Sequence, residues 1–243
     1  MFSKKNRLLE LFGWVPFTTQ FFKILYNGYL ILTFHSVSDV NLDYYCNIKT
    51  KLFEKSLIFF KKNFKIISLE DILLEISKKK SPENIEIAVT FDDGYLNNYK
   101  EAFPILKKLE IPATFFINVD FIEKGYKDKK FMDWIQVEEI SSNKLFTIGS
   151  HSLSHKKLSK LSDNDIYYYL TKSKEIIEKK LNKKVKFISY PFGDFNPKVL
   201  DIACKSGYIL GFTIKKKINN YKINRYEMGR FGINPNFIVK RFY

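Results

Sequence analysis

The sequence predicts an α/β fold in a single domain, a distorted (β/α) barrel of about seven mostly parallel strands. Three observations carry that expectation. Short apolar runs alternate with longer stretches of helical periodicity. The count, about seven or eight βα units, suits a barrel better than an open doubly wound sheet. Polar residues able to do chemistry fall just past the ends of the apolar runs, where barrels gather their sites.

The strand-like runs are Leu30 to Phe34, Ile66 to Leu69, Ile87 to Phe91, Ala113 to Val119, Thr147 to Ser150, Phe187 to Tyr190, Ile209 to Thr213 and Phe231 to Ile233. Between them, Lys49 to Lys62 carries an apolar stripe at helical spacing. Leu69 to Lys79 follows a helix-start signal, Ser68 with Asp71 three residues on. Asp163 to Leu181 is a long amphipathic stretch. Asp133-Trp134 and Glu138-Glu139 look like a helix start and its exposed face.

At 243 residues and 45% hydrophobic, the chain is long enough to bury one sizeable core. Cys46 and Cys204 stand far apart with no ligand spacing, so neither a disulfide framework nor a cysteine zinc site is expected. The net charge of +15 would favour anionic partners, including an anionic membrane surface. The lysines are spread along the whole chain, however, and no nucleic-acid motif accompanies them, so nucleic acid is not expected as a partner.

Residues 1–29 form a separate aromatic segment, expected to pack on the domain or on a membrane surface, and 30–243 the domain itself. Glu10, Pro16, Gln20, Lys23 and Asn27 break its apolar runs below the ~20 residues a spanning helix needs. No clear signal-peptide cleavage site follows, so the expected location is the cytoplasm or the inner face of the cytoplasmic membrane, with an extracytoplasmic one as the alternative.

Two adjacent carboxylates, Asp92 and Asp93, end one predicted strand, and Gly94 permits a tight turn. Neighbouring strand residues point to opposite faces, but a turn can swing both into one pocket. Alone, such a triplet is equally a solvated turn. His151 and His155 supply the context: four apart, they would share one face of a helical turn and aim ring nitrogens at one cation. The chain has only three histidines, and the third, His35, also follows a predicted strand. Two imidazoles and one carboxylate leave coordination positions open, for iron in oxygen chemistry or zinc in hydrolysis. The second carboxylate, available as a base, favours hydrolysis.

Together, Thr90 to Gly94, Ile111 to Phe116, His151 to His155 and Tyr190 to Asn196 resemble the polysaccharide deacetylases of carbohydrate esterase family 4, the nodulation-factor deacetylase homology domain. The resemblance spans roughly residues 30 to 233. It implies Asp92 as general base and Asp93, His151 and His155 as ligands of a divalent cation, zinc first, with cobalt or nickel as alternatives. It also implies Tyr95, Pro191 and Phe192 at the substrate, with backbone N–H near Phe192 helping the cation to stabilise the oxyanion.

Two departures stand beside the matches. Ser189 occupies the place where many members carry an arginine that orients the base, and no histidine follows His155. Both point to the poly-N-acetylglucosamine deacetylase branch, whose motif order is permuted and whose opening Thr33 to Val37 resembles. That likeness implies His35 as the acid that protonates the leaving amine, and Arg230, in Tyr226 to Ile233, as the support of Asp92.

The expected activity is metal-dependent removal of N-acetyl groups from amino sugars of a surface glycan, a lipid-linked sugar or another precursor. An inactive glycan-binding protein of the same fold, or a membrane-surface protein, is the alternative.

Overall fold

A computed structural model describes residues 27–40 and 46–234. The expected N-terminal aromatic segment lies outside them except at its end. In chain order the elements are β1 (Gly28–Phe34), β2 (Ser36–Val37), β3 (Asn47–Ile48), α1 (Thr50–Asn63), β4 (Lys65–Ile66), α2 (Leu69–Ser77), β5 (Ile85–Phe91), α3 (Phe103–Lys108) and β6 (Ala113–Ile117). They continue as α4 (Val119–Lys124), α5 (Trp134–Ser142), β7 (Phe146–Ser150), α6 (Asp163–Leu181), β8 (Phe187–Ser189), α7 (Pro197–Lys205), β9 (Leu210–Phe212) and β10 (Phe231–Gly232).

The main sheet runs β10-β1-β5-β6-β7-β8-β9, with short β4 also pairing β5, and its ladders are all parallel. It curls into the expected distorted (β/α) barrel. The last stretch of chain nearly closes it. Met228 bridges Phe212 of β9, while Phe231 and Gly232 pair with β1. Arg230 sits between those two contacts, with its N–H donating to the Lys215 carbonyl at 3.1 Å.

Side-chain alternation divides the strands into two faces. Leu30, Leu32 and Phe34 of β1 and Val89 and Phe91 of β5 join the larger cluster under the helices. Tyr29, Ile31, Ala88, Phe116, Phe187, Leu210 and Phe212 form a second cluster on the inner face, against which α2 packs Leu69, Ile72 and Ile76. Continuing the inner rows toward the strand ends brings Thr33, Thr90, Asp92, His151 and Ser189 to the same side. The period of two thus leads from core to chemistry.

Caps decide several boundaries. The Ser68 hydroxyl accepts from Asp71 N–H and the Asp71 carboxylate from Ser68 N–H, starting α2 at Leu69. The strand expected to reach Leu69 therefore stops at Ile66. The same box joins Asp133 and Gln136 at α5, and Ser162 caps α6. Trp134, the first residue of α5, is half-buried. It packs against the main core from α5, with Lys180 over its ring at 5.5 Å. Among the described residues, no helix is long and apolar enough to cross a membrane.

Candidate active site

At the carboxyl ends of the strands lies a cavity of about 590 Å³, into which Asp92, Asp93, His151, His155, His35, Tyr95 and Phe192 all face. Its floor begins at β5. Asp92 is on the inner row, so the next residue would point away, but Asp93 has φ of 73° and Gly94 of 78°. This left-handed pair swings the second carboxylate back over the pocket, the turn that the Asp-Asp-Gly order makes available.

Asp92 is 3% exposed and Arg230 fully buried. Arg230 Nη1 donates to Asp92 Oδ1 at 2.8 Å and Nη2 to Oδ2 at 2.6 Å, a bidentate pair. The guanidinium also donates to Thr33 Oγ1 at 3.0 Å, Thr90 Oγ1 at 3.2 Å, Ser189 Oγ at 2.7 Å and the Thr213 carbonyl at 3.2 Å. Every one of its nitrogens is thus occupied. Ser189 Oγ in turn donates to Asp92 Oδ2 at 3.1 Å. Burial pushes the Asp92 carboxyl up, but Arg230 first and His151 after it outweigh burial and hold it well below the usual range.

The histidine segment departs from expectation. Residues 151–157 are not helical, and Ser152 takes φ of 67°. A loop, not a helical turn, brings the imidazoles together, with ring centroids 5.1 Å apart. Neighbouring elements pin it. His151 N–H donates to the Ile117 carbonyl at 2.8 Å, and Asn118 Nδ2 to the His151 carbonyl at 3.0 Å. The Asn118 side chain simultaneously caps α4.

His151 Nε2 and His155 Nε2 each lie 3.4 Å from Asp93 Oδ1. That oxygen is buried yet has no hydrogen-bond partner. His151 Nδ1 lies 2.8 Å from the Ser189 carbonyl, an acceptor only, so Nδ1 carries the proton and Nε2 keeps its lone pair. Burial opposes charge on His151, yet Asp92 and Asp93 raise its pKa. Burial, then His151, lower that of His155 to about 4. One ligand atom from each of Asp93, His151 and His155 lies within 4.8 Å of the others. An orphaned buried oxygen between two imidazole nitrogens fits a divalent cation.

His35 lines the cavity at the end of β1, and burial lowers its pKa although Asp93 and Asp92 oppose the shift. Tyr95 stacks on Phe131 at 5.1 Å. Phe192, half exposed, covers His155 with ring centroids 4.3 Å apart. Pro191 is buried and does not line the cavity; its contribution is to start the turn that presents Phe192. Phe192 and Gly193 have φ of 59° and 63°, and a Cβ on Gly193 would lie 2.8 Å from Ile214 N. Asp194 anchors this turn by accepting from Ser159 N–H at 2.8 Å and from its hydroxyl at 2.9 Å.

Three contributors were missed in the sequence: Thr33, Thr90 and Ser189 as partners of the Asp92–Arg230 pair. Strand parity could have found them, since all share the inner row with Asp92.

A sequence profile of the polysaccharide deacetylase family matches residues 79–210. YxkH of Bacillus subtilis, a protein assigned to the polysaccharide deacetylases, is 28% identical over 206 residues, covering 84% of this chain and 71% of that protein. The poly-β-1,6-N-acetyl-D-glucosamine N-deacetylase of Staphylococcus aureus is 28% identical over 211 residues, covering 81% of this chain and 72% of that one. The solved structure of IcaB from Ammonifex degensii superposes with a TM-score of 0.80 at 22% identity, over 88% of this chain and 95% of that one, and so shares the fold. With more than half its length matched by the family profile, the chain belongs to the polysaccharide deacetylases, hydrolases of N-acetyl amide bonds.

Proposed function

We propose that this chain removes N-acetyl groups from amino sugars of a surface glycan or its precursor, using a divalent cation, zinc by preference, held by Asp93, His151 and His155. The observation that carries the reading is the buried, unpartnered Asp93 Oδ1 lying 3.4 Å from Nε2 of both histidines. Next to it stands a second carboxylate, Asp92, that a mere binding protein would have no reason to keep ionised and buried.

Asp92 takes the proton of the attacking water. Arg230 keeps it ionised and so ready to accept, and a divalent cation held by Asp93, His151 and His155 would supply a water of lowered pKa and a polarised acetamide carbonyl. Arg230 and Ser189 fix the orientation of the carboxylate, sparing the site that reorganisation during the reaction. His35, neutral through burial and facing both carboxylates, receives the proton that Asp92 took from the water and passes it to the leaving nitrogen, so that Asp92 and His35 both end the turnover as they began it. The backbone of the strained Phe192 turn faces the acyl oxygen, and the Phe192 ring offers an apolar platform to a pyranose face.

Purified, zinc-loaded protein incubated with poly-N-acetylglucosamine fragments, chitooligosaccharides and lipid-linked N-acetyl sugars should release acetate, and a chelator should stop it reversibly. No release from any of them, with metal bound stoichiometrically, would leave an inactive glycan binder as the better reading.

A further inference from the structure

The cavity has a charged rim that the deacetylation chemistry does not use. Lys127, Lys129 and Lys216 line it, with Lys127 and Lys216 on the exposed surface. Among the described residues, the carboxylates that line it are Asp92 and Asp93, on the floor. Asp92 is matched by Arg230, and Asp93 faces the two histidines. Neither is left to balance a lysine.

Phe192 and Gly193 also line a second hollow of about 690 Å³, which therefore adjoins the first. Lys157 and Lys215 line it, Lys157 lying 5.9 Å over the Phe192 ring. Lys215 is paired with Glu227 at 2.8 Å, and Asp194 is spent on Ser159. Among the described residues, Lys127, Lys157 and Lys216 form no ion pair.

Deacetylation uncovers an amine. On a neutral poly-amino-sugar each turnover adds positive charge to the polymer, and a lysine rim would repel the partly processed chain. On an anionic glycan the same rim draws substrate in, and each turnover cancels one of its charges, weakening product retention. We infer that the substrate carries negative charge, as a phosphodiester or a carboxylate, beside the N-acetylated sugar, and that Lys127, Lys157 and Lys216 recognise it. The inference rests on the deacetylase reading above and narrows it to a substrate class.

Acetate release by the zinc-loaded enzyme tests it on three oligosaccharides with the same N-acetylated sugar: one neutral, one bearing an adjacent uronate and one an adjacent phosphodiester. The expected result is a kcat/KM roughly tenfold higher on at least one anionic substrate, carried by KM and shrinking as salt rises from about 0.02 to 0.3 M. Whichever anionic arm is preferred identifies the source of the charge. A Lys127→Gln, Lys157→Gln, Lys216→Gln triple variant, and Lys216→Gln alone to a lesser extent, should lower the anionic-to-neutral ratio while kcat on the anionic substrate holds. Equal kcat/KM on all three, or an anionic preference untouched by salt and by the triple variant, would overturn the inference and leave the deacetylase reading standing. Acetate from none of the three would overturn the deacetylase reading itself.

Discussion

At the scale of single residues, the two adjacent aspartates do different work because their surroundings differ. Asp92→Asn keeps the shape and leaves the three ligand atoms in place, so metal content should persist while kcat falls by about 10²–10⁴, the range a general base contributes. His151→Ala should instead lose the metal; metal analysis beside acetate release separates the two, and equal metal content in both variants would contradict the division of roles. Arg230 presents the opposite case. Arg230→Met strands the Asp92 charge in a buried site and should cost about 3–5 kcal/mol of stability in denaturant unfolding. Adding Asp92→Asn should recover part of that loss, because the uncompensated charge is then gone. A double variant as unstable as the sum of the two singles would argue against a coupled pair.

At the scale of elements, the site depends on loops held in unusual conformations by well-capped helices. Gly193 sits at φ of 63° with Ile214 N close to where a Cβ would go, so Gly193→Ala must shift the Phe192 turn. We expect a loss of about 1–2 kcal/mol from the left-handed strain, and a larger proportional loss in kcat/KM than in stability. Melting curves and kinetics on the same sample compare the two. Helix α6 is tied to the approach to β8 through Glu178, whose carboxylate accepts from Val185 N–H at 2.9 Å and meets Lys174 and Lys184, each at 3.2 Å. Burial opposes its ionisation, but the Val185 amide and the two lysines together lower its pKa below the ordinary 4.5. Its contribution is therefore complete above that value and lost as pH falls through the lowered one. Glu178→Gln should lower the melting temperature at pH 7, and by progressively less as the pH falls below 4.5.

At the scale of the whole molecule, the two stretches that carry the ligands, Asp93 after β5 and His151 with His155 after β7, meet only when the barrel forms, so cation binding and folding should be coupled. A metal bound by the native state alone at about 100 times its Kd adds about 2.7 kcal/mol. For a domain of this size that raises the melting temperature by about 5–10 °C, reversed by chelator. A melting temperature indifferent to zinc would count against the Asp93, His151 and His155 centre. The near-closure of the sheet by Met228 to Gly232 also makes the C-terminal stretch part of both barrel and site, since Arg230 reaches Asp92 from the seam between β9 and β1.

The barrel class, most strands, the caps at Ser68 and Asp133, and the Asp92, Asp93, His151 and His155 constellation were legible in the sequence. Each is written in local signals: apolar period, cap chemistry, or a short motif. Local signals do not say how Asp93 turns inward, because that requires a left-handed backbone at an aspartate rather than the regular strand alternation. Nor could it reveal that a loop, not a helical turn, joins the two histidines, since a spacing of four is compatible with both. The family resemblance had implied Arg230, 138 residues away, as the support of Asp92; the tertiary structure supplied its bidentate geometry and the ring of Thr33, Thr90 and Ser189 around it. Strand parity marks which residues face inward, but which of them hydrogen-bond to one another is selected by the register of the closed sheet and is not written in any one strand.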